Sequence, residues 1–79
     1  MPTVLRVRGY RFIIFFNDHP PAHIHVKHAE GGAKVRLKAV EITEYYQLTQ
    51  RQLREIRDIV EENRDYLMEK WREIQGDET

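Results

Sequence analysis

His23-Ile24-His25-Val26-Lys27-His28 alternates polar and aliphatic residues with a period of two. That period marks a strand whose two faces meet different surroundings. If Ile24 and Val26 turn inward, Ala22 and His28 share their side, and His23, His25 and Lys27 are carried together to the other. Immediately upstream, Asn17-Asp18-His19-Pro20-Pro21 reads as a loop. Asn and Asp favour turns, and prolines have no N–H to give a ladder. All four histidines of the 79-residue chain fall in positions 19–28. The loop and strand together are therefore the candidate site.

Outward from this strand, the same alternation gives the sheet. Residues 3–8 form a first strand and Gly9 interrupts it. Residues 10–16 form a second, apolar on both faces after Arg11, as expected of a strand covered on both sides or meeting a second subunit. Downstream, Glu30-Gly31-Gly32 reads as a flexible turn into a fourth strand over 33–40. Val35 and Leu37 take one face of it, and Lys34, Arg36 and Lys38 the other. An antiparallel pairing would set this Lys/Arg row beside the His/Lys face. Residues 41–46 alternate less clearly and read as a short fifth edge strand or as a connection.

The C-terminal third predicts a helix over 48–75. Thr49 and Gln52 stand at capping-box spacing, and Leu48 and Leu53 can form a hydrophobic staple across the cap. Leu53, Ile56, Val60, Asn63, Leu67, Trp71 and Ile74 then recur at spacings of three and four. Trp71 lies within this stripe and is expected in the core. Gly76 ends the helix, and 76–79 should fray. The fold class is α+β: one domain over 1–79, with a small antiparallel sheet of four strands, or five, in 1–47. It packs on one long C-terminal helix, with His23 and His25 on the face away from that helix.

The chain has no cysteine, which removes disulfides and thiolate metal sites. It opens without a secretory-type leader, and no apolar run nears the roughly 20 residues that span a bilayer. A soluble, cytoplasmic protein is expected, with no membrane partner. A domain this small often gains burial from a mate, so a homodimer or a complex is expected too. Net charge is zero, but unevenly distributed. Residues 1–40 carry 7 Lys/Arg against 2 Asp/Glu, and residues 41–79 carry 6 against 11. Two surfaces for different partners, or two differently solvated layers, follow from that split.

Three chemistries compete for the histidines. In the first they are structural, with His19 and His28 holding loop backbone. In the second, His23 and His25 on one strand face share a divalent ion such as zinc, with His19 or Asp18 completing the set. In the third, His23 and His25 act as acid and base on a phosphodiester, with Lys27, Lys34 or Arg36 as the electrostatic clamp of a small ribonuclease. The same basic face, from Lys27, Lys34, Arg36 and Lys38 to Arg6 and Arg8, also suits contact with RNA or DNA without catalysis. Tyr10, Tyr45 and Tyr46 are the aromatics available to stack bases.

Four pieces of the chain resemble the DUF4160 family of small prokaryotic proteins. They are Met1-Pro2-Thr3-Val4, the Phe16-Asn17-Asp18-His19-Pro20-Pro21 turn, the His23-Ile24-His25-Val26 strand, and the helix ending near Trp71. Ala22 stands where usual members have proline. The resemblance implies a small α+β domain of unassigned role. It also implies a small protein partner of the DUF2442 type and a place in a toxin–antitoxin-like pair. The resulting expectation is a binding module that contacts nucleic acid or its partner through the basic histidine face. A ribonuclease and a histidine-based metal-binding protein are the alternatives.

Overall fold

The computed structural model describes residues 3–76. Five strands and two helices follow in order: β1 (Thr3–Val7), β2 (Tyr10–Ile13), β3 (His23–His28), β4 (Gly31–Arg36), β5 (Glu41–Tyr46), α1 (Gln50–Glu62) and α2 (Arg64–Gln75). The strands form one antiparallel meander, spatially in chain order. Residues 41–46 thus join the sheet as its fifth strand.

Turn chemistry fixes the register. Arg8 and Gly9, between β1 and β2, both have positive φ (53° and 83°). That is the two-residue arrangement whose twist matches flanking strands, here with Arg in the place that Asn usually takes. The expected Glu30-Gly31-Gly32 turn is displaced. The turn is Ala29 and Glu30, and both glycines are buried inside β4. The reason is close approach across the β4–β5 pair. A Cβ on Gly31 would overlap the Gln47 carbonyl, and one on Gly32 would lie 2.8 Å from the Tyr46 ring. Glycine in a strand interior often marks such an approach.

β2 also stops earlier than expected. The Asp18 carboxylate accepts from the Phe15 N–H through Oδ2 at 2.9 Å, and the Asp18 N–H donates to the Phe15 carbonyl at 3.1 Å. This β-turn over Phe15–Asp18, closed by the Asp18 side chain bonding back three residues, takes the backbone groups that a longer strand would pair. It leaves Phe16 exposed.

One face of the sheet carries Tyr10, Phe12, Ile24, Val26, Val35 and Leu37 into the core. Ile56, Ile59, Val60, Leu67 and Trp71 of the helices meet them there. Trp71 is fully buried, as its place in the stripe required. Thr49 caps α1 with both bonds of the capping box: the Gln52 N–H to Thr49 Oγ1 at 3.1 Å, and the Thr49 N–H to Gln52 Oε1 at 2.8 Å.

A single helix over 48–75 is corrected to two. At Asn63 the backbone leaves helical values (φ −112°, ψ 17°), and its Nδ2 donates to the Ile59 carbonyl at 2.8 Å. A short amide competing for a helical carbonyl is a local reason for a break. The Leu67 N–H still reaches the Asn63 carbonyl at 2.9 Å, so the two helices are joined at a kink. Gly76 ends α2 with φ 85°. The expected fraying of residues 77–79 lies outside the described residues, as do Met1 and Pro2. Among the described residues no helix is long and apolar enough to cross a membrane.

Candidate functional site

Antiparallel register puts directly opposed residues on the same face. Three rows therefore cross the face turned away from the core. Arg6 stands opposite Arg11, Arg11 opposite Lys27, Lys27 opposite Gly32 and Gly32 opposite Tyr46. The next row runs Ile13, His25, Lys34, Glu44, and the third His23, Arg36, Glu41. The juxtaposition of the His/Lys strand with the Lys/Arg strand is thus a register fact.

In the first row three cations face one another with no carboxylate between them. Among the described residues, none of Arg6, Arg8, Arg11 and Lys27 makes an ion pair. They line a cleft of about 390 Å³ at the β1–β2 turn. Lys27 instead donates to the Tyr46 hydroxyl at 2.7 Å, with its ammonium 5.4 Å from the ring centre. Half of Tyr46 remains exposed, as does half of Tyr45. These two tyrosines border a second cleft of about 370 Å³ with Phe15, His25, Lys27 and Lys34. Tyr10, by contrast, is buried and donates to Glu55 Oε1 at 2.7 Å, tying β2 to α1. Burial, then the adjacent Glu55 carboxylate, push the Tyr10 hydroxyl pKa up to about 12.

The third row opens into the histidine loop. His23 Nε2 lies 3.4 Å from Asp18 Oδ1, and His25 Nε2 lies 3.3 Å from the same oxygen. The two imidazoles sit edge to face with centres 5.0 Å apart. Each is braced from behind, His25 by the edge-on ring of Phe15 at 4.7 Å and His23 by Trp71 at 5.2 Å. His23 Nδ1 is 2.9 Å from the Pro21 carbonyl. A carbonyl only accepts, so Nδ1 carries the hydrogen and the Nε2 of a neutral His23 is a bare lone pair. Asp18, His23 and His25 each offer one ligand atom, and these atoms all lie within 4.8 Å of one another. Two imidazoles and a carboxylate are a set that zinc accepts.

The loop is built to hold this geometry. Besides the Phe15–Asp18 turn, the Gln75 amide of α2 donates to the Phe15 carbonyl, and the Leu37 N–H donates to the Ala22 carbonyl at 3.1 Å. The Pro20–Pro21 peptide is cis. The groove over the cluster has a volume of about 420 Å³ and is bordered by His19, Lys34, Arg36, Thr43 and Glu44.

One expectation is corrected for His23. His25 and Lys27 do lie away from the helices, but His23, at the start of β3, is only 7% exposed and meets Trp71 of α2. At that end of the sheet, helix and loop close over the strand. His19 is exposed, borders the groove and stands outside the three converging ligands. His28 packs on Tyr10, with Nδ1 at 3.1 Å from the Gly9 carbonyl, and so braces the first hairpin. Lys38 falls in the turn after β4, where its carbonyl accepts from Arg64, and it does not join the rows. Arg8 sits in the β1–β2 turn beside Arg6 and Arg11. Two partners escape a reading by composition alone. Arg11 becomes part of the basic row only once β2 is registered on β3, although its spacing of two from Ile13 put it on that face. Tyr46 reaches Lys27 only because Gly32 leaves its ring room.

A family model described as a domain of unknown function, DUF4160, matches residues 9–72. No curated protein and no solved structure matches the chain. The matched span includes the whole histidine loop, β2 to β5, all of α1 and most of α2, and on that extent the chain belongs to the DUF4160 family.

Proposed function

We propose that this protein is a binding module for single-stranded nucleic acid, engaged across the open face of the sheet. The observation that carries the reading is the row Arg6–Arg11–Lys27, three cations in direct cross-strand opposition. Like charges so placed cost a sheet some tenths of a kcal/mol per pair, about 1 at most. A phosphate backbone laid along the row turns that cost into attraction and releases its own counterions. Tyr46, opposite Gly32 at the end of the same row, supplies a half-exposed ring on which a base can stack without sequence preference. A meander sheet with a basic, aromatic-bearing free face is a physical solution that single-strand binders use. In a toxin–antitoxin-like pair, a small protein partner or a second copy would dock elsewhere. The free edges of β1 and β5 offer it unpaired backbone groups.

The ribonuclease alternative draws less support. Acid–base cleavage needs two imidazoles that reach different oxygens of one phosphate. Here both Nε2 atoms address one carboxylate oxygen, and His23 is buried behind it.

Fluorescence anisotropy with a labelled 20-nucleotide single strand tests the proposal. Binding should weaken with added salt, with a slope of about 0.7 per phosphate contacted. Arg11→Glu and Lys27→Glu should each weaken it about tenfold or more, while Arg57→Glu, on the exposed side of α1, leaves it unchanged. Binding that persists in the Arg11→Glu/Lys27→Glu double variant would overturn the assignment.

A further inference from the structure

We infer that Asp18, His23 and His25 form a binding site for a divalent transition metal ion of the zinc type. This inference rests on a different observation from the nucleic-acid reading and stands independently of it. The side chain of His23 is 8% exposed and that of Asp18 13%. Between them, His23 Nε2 and Asp18 Oδ1 face each other at 3.4 Å. With the His23 hydrogen committed to the Pro21 carbonyl, both facing atoms bring lone pairs. Two acceptors so enclosed repel unless a cation stands between them. Either a second proton on His23 or a metal ion meets that need.

Geometry favours the metal. Tetrahedral ligands at about 2.0–2.1 Å from zinc lie about 3.3–3.4 Å from one another. Two of the three ligand separations, the Nε2–Oδ1 pairs, are 3.3 and 3.4 Å, and all three ligand atoms lie within 4.8 Å of one another. Two of the three ligands are also held by a hydrogen bond from behind, as metal-binding residues usually are. Pro21 holds His23 through Nδ1, and the Phe15 N–H holds Asp18 through Oδ2, which leaves Oδ1 for the ion. Nitrogen ligands with one carboxylate select zinc-like ions over magnesium or calcium, which prefer all-oxygen shells. Three protein ligands leave one position open toward the groove edged by Lys34 and Arg36, where water or an anion would complete the shell.

Calorimetric titration of chelator-treated protein with zinc chloride tests the site. One ion per chain is expected, with no site detected for magnesium. Asp18→Asn and His25→Asn should each weaken zinc binding at least tenfold. His19→Asn, outside the cluster, should leave it unchanged. Because His23 is buried, His23→Asn is informative only if its far-ultraviolet dichroism matches wild type; the other two variants carry the test without it. Absence of zinc binding to the wild type, or zinc affinity retained in both Asp18→Asn and His25→Asn, would overturn the inference.

Discussion

Asp18 and His23 meet through Oδ1 and Nε2 at 3.4 Å, while each uses its second polar atom to hold backbone of the same loop. Asp18 takes the Phe15 N–H, and His23 gives its Nδ1 hydrogen to the Pro21 carbonyl. The loop between β2 and β3 is therefore folded onto the sheet by two side chains that also face each other. Loop conformation and side-chain chemistry are one construction here, and variants at Asp18 separate the two.

Asp18→Ala removes the acceptor for the Phe15 N–H and leaves both imidazoles without the carboxylate. Losing such partners in a partly buried setting costs about 1–3 kcal/mol. Asp18→Asn should cost less. Its amide oxygen can still accept from Phe15, and its NH₂ can donate to the His23 lone pair. Urea denaturation in the presence of a chelator measures both. Equal stability of Asp18→Ala and wild type would contradict the clamp.

The two glycines of β4 make different demands. At Gly31 a Cβ meets backbone, the Gln47 carbonyl, whereas at Gly32 it meets the side chain of a half-exposed tyrosine. Backbone cannot swing aside. Gly31→Ala should therefore destabilise by about 1–3 kcal/mol, the usual range for overpacking. Gly32→Ala should cost less stability but displace the Tyr46 ring from Lys27, and so weaken nucleic-acid binding. Chemical denaturation paired with anisotropy distinguishes the two. A greater stability loss at Gly32 than at Gly31 would contradict the packing.

Tyr10 gives the fold an alkaline limit. Its hydroxyl pKa is pushed up to about 12 in the folded protein, by burial first and Glu55 second. In the unfolded chain it titrates near the ordinary value of about 10. The unfolded state therefore loses its proton first, and stability falls as pH rises from about 10 toward 12. Below about 10 the contribution is fully present. The loss across that window is on the order of 2–3 kcal/mol. Thermal melts of wild type and Tyr10→Phe between pH 9 and about 11.5 should diverge in this sense, the variant losing less. Parallel curves would show that Tyr10 is not responsible.

Much of this molecule was legible in residue order because period-two and period-3.6 patterns report burial directly. Ile24 and Val26 go inward, so His25 and Lys27 must go outward. Thr49 and Gln52 mark a helix start because few other geometries use that spacing. What residue order hid was set by competition between local groups. Asn63 fits the helical stripe by spacing, yet its amide captures the Ile59 carbonyl and divides the helix. Gly31 and Gly32 look like a turn by composition, yet they serve close packing between β4 and β5. The histidines were legible as a group, but not which of them converge. That depends on Asp18 closing its turn on Phe15, which swings the carboxylate toward His23 and His25 and leaves His19 outside.

The open sheet face as the nucleic-acid surface is tested most directly by titrating an unlabelled single strand into isotopically labelled protein and following backbone amide shifts residue by residue. Binding across the face predicts that the shifts concentrate at Arg6, Arg11, Lys27, Lys34 and Tyr46, while the exposed positions of α1 and α2 stay still. Shifts confined to the helices, or none at saturating strand, would contradict it.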